Sequence, residues 1–142
     1  MNESVFYALY RIERELIGIM SLDAGVYIAV FYMPKDRKIQ IGQLGRFRFH
    51  QGVYFYVGSA QLNLSARIER HNRKKKTLRW HIDYLSAKVE MLGAITIPGP
   101  RELECQLAKE LGGMFELAVP GFGASDCRCV GRFFFVKDLA KI

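Results

Sequence analysis

The sequence is short of cysteine and of acidic residues, and it has no long apolar run. Three cysteines (Cys105, Cys127 and Cys129) in 142 residues cannot build a disulfide framework, and free thiols suit a reducing cytosol. No stretch of about 20 apolar residues is present to span a bilayer. Glu3, Arg11, Glu13, Arg14 and Glu15 interrupt the apolar core that a secretion signal needs. A cytoplasmic protein without a membrane partner is therefore expected. No glycine-rich loop runs into a helix with Lys-Ser or Lys-Thr, which argues against a nucleotide hydrolase. Internal repeats, low-complexity tracts and domain linkers are absent too, so residues 1–142 read as one domain.

Basic and apolar residues are plentiful instead. Lys plus Arg is 21 against 14 Asp plus Glu, a net charge of +7, which favours a polyanionic partner such as nucleic acid or an anionic surface. Hydrophobic residues make up 50% of the chain, enough apolar surface to offset chain entropy in a folded core.

The apolar pattern predicts a small α/β (α+β) domain with a mainly antiparallel sheet flanked by helices. Val5, Leu9, Ile12 and Leu16 recur at helical spacing within residues 1–22, so an N-terminal amphipathic helix precedes a core over residues 25–137. That helix could pack on the core or cap a partner subunit, and the oligomeric state stays open. Gly25 to Met33 reads as a buried strand, Lys38 to Gly42 and Arg46 to Phe49 as alternating strands, and Gly52 to Gly58 as a strand bracketed by glycines. Such close spacing predicts an antiparallel meander. Asn63 is placed to cap a helix bearing Leu64, Arg67, Ile68 and His71. A second helical stretch follows from about Leu78 to Lys88, then a strand from Val89 to Ile97 stopped by Pro98-Gly99-Pro100. In the next helix, Arg101 to Leu111, Leu103, Leu107 and Leu111 form one stripe, and Arg132 to Lys137 reads as the last strand.

Charge concentrates in one place. Arg67, Arg70, Arg73, Lys74, Lys75, Lys76 and Arg79 put seven of the 21 basic residues into thirteen positions. A run of this kind is often only a solvated surface. Here it grows out of a helix on which Arg67 and His71, at i and i+4, share a face. A guanidinium and an imidazole side by side suit a phosphate oxygen. Arg70, Arg73, Lys74, Lys75, Lys76 and Arg79 would then hold the flanking nucleic-acid backbone.

Gly25-Val26-Tyr27 and Tyr56-Val57-Gly58 together resemble the two-part signature of the GIY-YIG endonuclease superfamily. That superfamily follows its second motif with an Arg-bearing helix, and Arg67 stands nine residues after Gly58. It then places a metal-binding Glu on a later helix, where Glu104 of RELECQLAKEL stands. The blocks YVGSA, RIERH, WHIDYL, LEC and GFGASDCRC resemble the Uri-type branch, long labelled a domain of unknown function, from about Gly25 to Phe135. This chain departs from the branch in carrying Arg79 before the Trp and Arg132 after the CRC segment, where histidines are frequent. Some relatives look like fusions to DNA-repair glycosylases.

The resemblance implies metal-dependent hydrolysis of phosphodiester bonds, with DNA as a more natural partner than RNA and a role in repair or processing. Glu104 would hold one Mg²⁺ or Mn²⁺. Arg67 would hold a non-bridging oxygen of the scissile phosphate. Tyr27 would orient the attacking water or act as its base, a role that needs nearby cations to lower a phenol pKa of about 10. Tyr56 and His71 would complete the pocket. As lone residues Tyr27 and Tyr56 would pass for sheet packing, and Glu102 stands near enough to replace Glu104, which is preferred for its place in the family pattern.

In WHIDYL, Trp80 and Tyr84 at i and i+4 would pack inward and leave His81 and Asp83 to make structural hydrogen bonds in a supporting layer. Ser125 and Asp126 suit a turn or helix cap, with a supporting place at the site open. Cys127 and Cys129 with Cys105, His71 or His81 invite a zinc site, but a one-residue spacer is a poor zinc spacing, so zinc is not expected. An inactive nucleic-acid-binding module on a nuclease fold is the alternative. A membrane or protein adaptor is disfavoured by the mixed charge of the first helix.

Overall fold

Nine residues rich in Val, Ile, Phe and Tyr form β1 (Gly25–Met33), and every one of them except Val30 and Tyr32 is buried. β1 is central because both its edges are paired. On one side it runs antiparallel to β4 (Gly52–Ala60) in unbroken register from Gly25↔Ala60 to Met33↔Gly52. On the other it pairs with β5 (Glu90–Ile97), with a bulge between Val30 and Phe31. Gly25 sits at φ +149°, and a Cβ there would lie 2.6 Å from the Ile97 carbonyl oxygen, so the close approach of β5 demands glycine.

The computed structural model describes residues 23–123 and 131–137. β7 (Phe133–Val136) lies on the other side of β4, and β6 (Glu116–Leu117) outside β7, giving a five-stranded antiparallel sheet in the order β5-β1-β4-β7-β6. β2 (Arg37–Ile41) and β3 (Gly45–Phe49) form a separate hairpin across a 3₁₀ turn at Gly42–Leu44. The expected single meander is thus corrected: β1 skips the hairpin and pairs with β4. Ile39, Ile41 and Phe49 are buried in the same core as Phe31 and Tyr54, so the hairpin's apolar face covers the sheet instead of extending it.

Period-two alternation divides the sheet residues between two cores. Tyr27, Ala29, Phe31 and Met33 of β1 join Tyr54, Tyr56 and Ala60 of β4 on one face, covered by the hairpin, α1 (Leu64–Asn72) and α2 (His81–Ser86). Val26 and Ile28 face the other way with Val57 and Phe134, and α3 (Glu102–Gly112) closes that side with Ala108 and Leu111. Leu103 and Leu107 complete the predicted stripe.

Two local expectations change. Asn63 adopts a left-handed conformation (φ 55°) and gives α1 no side-chain cap. Asp23 caps it instead from 42 residues away, its carboxylate accepting the Ser65 N–H at 3.0 Å and the Ser65 hydroxyl at 2.9 Å. α2 is shorter than expected and rotated: Ile82 and Leu85 are buried, Tyr84 is half-buried, and Trp80 is 39% exposed. No helix among the described residues is long and apolar enough to cross a membrane. The predicted N-terminal helix lies outside the described residues.

Candidate functional site

The end of the β1–β4 pair is where residues from both faces of the sheet meet. Tyr27, third in β1, lies opposite Gly58 near the end of β4. A Cβ at Gly58 would fall 2.5 Å from the Tyr27 ring carbon and hydroxyl, so the second glycine of the signature makes room for the first tyrosine. Ser59, the next residue, points to the α3 face and donates its hydroxyl to Glu104 Oε2 at 2.8 Å. Its carbonyl accepts Arg67 Nη1 at 2.8 Å from the α1 side. One strand end therefore ties together a tyrosine, an arginine and a carboxylate from three other elements.

These groups border an open cleft of about 560 Å³, lined by Tyr27, Tyr56, Ser59, Arg67, His81 and Glu104 among others. Of the predicted catalytic set, Tyr27, Tyr56, Arg67 and Glu104 line it. His71 does not. It is 1% exposed, and its Nε2 lies 2.6 Å from the Tyr27 hydroxyl, so it anchors that phenol from behind. The Tyr56 ring also packs on it, with centroids 5.9 Å apart. Burial, reinforced by cationic Lys76, lowers the His71 pKa to about 4, so its imidazole is neutral at pH 7.

Arg67 alone does not lower the Tyr27 phenol. Burial drives its pKa well above 10, nearby Tyr56 adds to this, and the opposing pull of Arg67 is smaller. Burial raises Tyr56 as well, with Glu104 adding to it. Both phenols are neutral hydrogen-bonding groups at pH 7.

Glu104 is separated from Glu102 by position: Glu104 lines the cleft, whereas Glu102 is exposed and does not. Each Glu104 oxygen already accepts one hydrogen bond, from Ser59 and from Arg132 Nε at 3.2 Å. Arg132, 3% exposed, also reaches Cys105 Sγ at 3.3 Å, so a buried guanidinium faces the predicted metal ligand. A carboxylate offers about four lone-pair sites, so Glu104 retains acceptor capacity. No three His, Cys, Asp or Glu side chains cluster among the described residues. Among the described residues the cleft thus offers one carboxylate with acceptor capacity left and no closed protein cage for a metal.

The basic run splits into two groups. Arg70 forms a bidentate pair with Asp83, with Nη2–Oδ2 at 2.9 Å, and its Nη2 also reaches the Thr77 carbonyl. Lys74 Nζ donates to the carbonyls of Ser86 and Val89 at 3.0 and 2.7 Å. Lys76 Nζ donates to the carbonyls of Arg70 and His71 at 2.9 and 3.2 Å and to the Ser86 hydroxyl. Arg70, Lys74 and Lys76 thus hydrogen-bond to the protein itself, with Lys74 exposed all the same. Arg73 and Lys75 are exposed, and Arg79 is exposed and lines the cleft.

Asp83 is 0% exposed and accepts the backbone N–H groups of Arg79 and Trp80 at 2.8 and 2.9 Å. Burial would raise its pKa, but the hydrogen bonds from Arg70, Trp80 and Arg79 prevail and hold it below the ordinary value. Its hydrogen bonds join α1 to the start of α2. His81 belongs to the cleft more directly than expected, its Nδ1 accepting the Gly123 N–H at 2.9 Å. Burial lowers its pKa too. Ser125, Asp126, Cys127 and Cys129 lie outside the described residues.

Sequence reasoning missed Ser59, Leu62, Trp80 and Arg101 as cleft residues. The YVGSA and WHIDYL blocks held the signal for Ser59 and Trp80. Leu62 and Arg101 gave none beyond standing next to predicted helices.

A family model described as "Domain of unknown function DUF123" matches residues 26–142. The chain belongs to the DUF123 family. The DUF123 match takes in both halves of the tyrosine–glycine pattern from Val26 onward, α1 and α3, and so every cleft residue named above. No curated protein and no solved structure matches the chain.

Proposed function

We propose that this DUF123 protein is a divalent-metal-dependent endonuclease of the GIY-YIG kind, in its Uri-type branch, that hydrolyses phosphodiester bonds in DNA in the cytoplasm. One observation carries the reading: Tyr27, Tyr56, Arg67 and Glu104, supplied by β1, β4, α1 and α3, border a single cleft. Arg67, anchored through Nη1 to the Ser59 carbonyl, directs its remaining N–H groups to a non-bridging phosphate oxygen and stabilises the charge that develops there. Tyr27, held by His71, orients the attacking water through a neutral hydroxyl, because its raised pKa disfavours a base role. Tyr56 and His81 position water or phosphate beside it. Ser59 holds the carboxylate of Glu104, the residue that would bind Mg²⁺ or Mn²⁺. Such an ion, when bound, stabilises charge on the leaving oxygen. Arg79 and Arg101 hold the flanking backbone.

A second reading, a DNA-binding module without chemistry, is favoured by the ion pair between buried Arg132 and Glu104, which sets a cation against the carboxylate. Cleavage of labelled duplex, single-stranded, flapped and lesion-bearing DNA and of RNA, with Mg²⁺, Mn²⁺ or EDTA, separates the two. Metal-dependent cutting that Arg67→Ala and Glu104→Gln each lower by about 10²-fold or more is expected. Wild-type cutting by Glu104→Gln would overturn the metal assignment. Salt-sensitive binding with no cutting in either metal would select the binding module.

A further inference from the structure

Trp80 and Leu62 are 39% and 69% exposed, and both line the cleft that holds Tyr27, Arg67 and Glu104. Both are large apolar groups on the lining of one cleft that also carries Arg67, Arg79 and Arg101. The indole is held in place. The guanidinium carbons of Arg67 and Arg70 lie 4.8 and 4.5 Å from its centroid. These arginines are three residues apart and share one face of α1, so the ring rests on that face with its orientation fixed. Arg70 is itself fixed by buried Asp83. A planar aromatic surface is thereby pre-ordered at the rim of a cationic cleft.

We infer that Trp80, with Leu62, receives an unpaired nucleobase next to the phosphate held by Arg67, so that the preferred ligand is a single-stranded DNA segment and not continuous duplex. The inference rests on the nucleic-acid reading above and specifies its substrate. An aromatic face alternating with guanidinium groups is the pattern that binds single strands, because every base has a face to stack and a phosphate to neutralise. A base inside a duplex is already stacked and reaches such a surface only after unpairing. The cleft volume of about 560 Å³ falls in the range of about 300–1,000 Å³ typical of pockets for small organic groups. The net charge of +7 favours an anionic occupant such as a phosphodiester strand.

Trp80 is the sole tryptophan, so its fluorescence reports on the cleft alone. The full chain in EDTA is titrated with a single-stranded oligonucleotide, the same strand as duplex, and a fully abasic strand of equal length. Quenching by the single strand, and binding about tenfold tighter than to the abasic strand, are expected. By anisotropy of labelled strands, Trp80→Ala brings the base-bearing and abasic affinities to within about threefold of each other, while Trp80→Phe restores most of the gap. Equal wild-type affinity for abasic and base-bearing strands, or tightest binding to duplex, would overturn the inference and leave the nucleic-acid reading intact. Failure to bind any of the three would overturn that reading itself.

Discussion

Lys74 and Lys76 direct their ammonium groups at carbonyl oxygens near the ends of α1 and α2, whereas Arg67 and Arg79 border an open cleft. All four come from the same basic run, and in the sequence they look alike. The difference lies in what the fold places within reach. A helix C-terminus leaves carbonyls without intrahelical partners and carries partial negative charge, so a nearby lysine is drawn to it. Arg70 likewise answers a need inside the protein, since Asp83 with no exposure would otherwise be an uncompensated buried charge. Part of the local charge density therefore answers needs inside the fold, and Arg67 and Arg79 are the members of the run that line the cleft.

The sharpest way to break this comparison is Asp83→Ala. It leaves Arg70 half-buried without its partner and removes the acceptor for two backbone N–H groups at the start of α2. A loss of about 3–5 kcal/mol in chemical denaturation is expected. An unchanged midpoint would mean that Arg70 is available to ligand after all.

A smaller effect is expected from pH. His71 has its folded pKa lowered to about 4 by burial, against about 6.5 in the unfolded chain. The unfolded state then binds the proton more readily, so this group's stabilising contribution is full above about pH 6.5 and is lost as pH falls toward 4. Denaturation of wild type and His71→Gln at pH 7, 6, 5 and 4 checks this. The gap between them should narrow as pH drops, and a constant gap would contradict the buried neutral imidazole.

Smaller still are the effects of single basic residues. Lys74→Ala and Lys76→Ala should each lower stability by about 1–2 kcal/mol without changing the salt dependence of DNA binding. Arg79→Ala should do the reverse, reducing the salt slope by about one while stability stays within about 0.5 kcal/mol. Thermal melts and binding at several salt concentrations read the two quantities separately.

Much of the fold is legible in local pattern. The β-branched and aromatic run of β1, the alternation of β2 and β3, and the leucine stripe of α3 each carry their own period. What the pattern hides is pairing across distance. The hairpin's place over the sheet depends on Ile39 and Phe49 finding Phe31 and Tyr54. Asp23 replaces Asn63 as the cap of α1 because β1 starts beside that helix. Trp80 faces outward because Asp83, turned inward to Arg70 and to the start of α2, fixes the rotation of that helix. The site shows the same division. Tyr27, Tyr56, Arg67 and Glu104 stand in a recognisable order along the chain. The Ser59 link between Arg67 and Glu104, and the engagement of Glu104 by Arg132, exist only once β4, α1 and α3 have met.

Single-turnover cleavage of a labelled DNA strand in Mn²⁺, comparing wild type with Arg67→Ala and with an Arg73→Ala/Lys75→Ala double variant, tests the central claim most directly. The expected result is a fall of about 10²-fold or more for Arg67→Ala at saturating enzyme. The double variant should cut at the wild-type rate once saturated and bind only more weakly at high salt. Equal losses in the two, or cutting by Arg67→Ala at the wild-type rate, would contradict the assignment of the chemistry to the cleft.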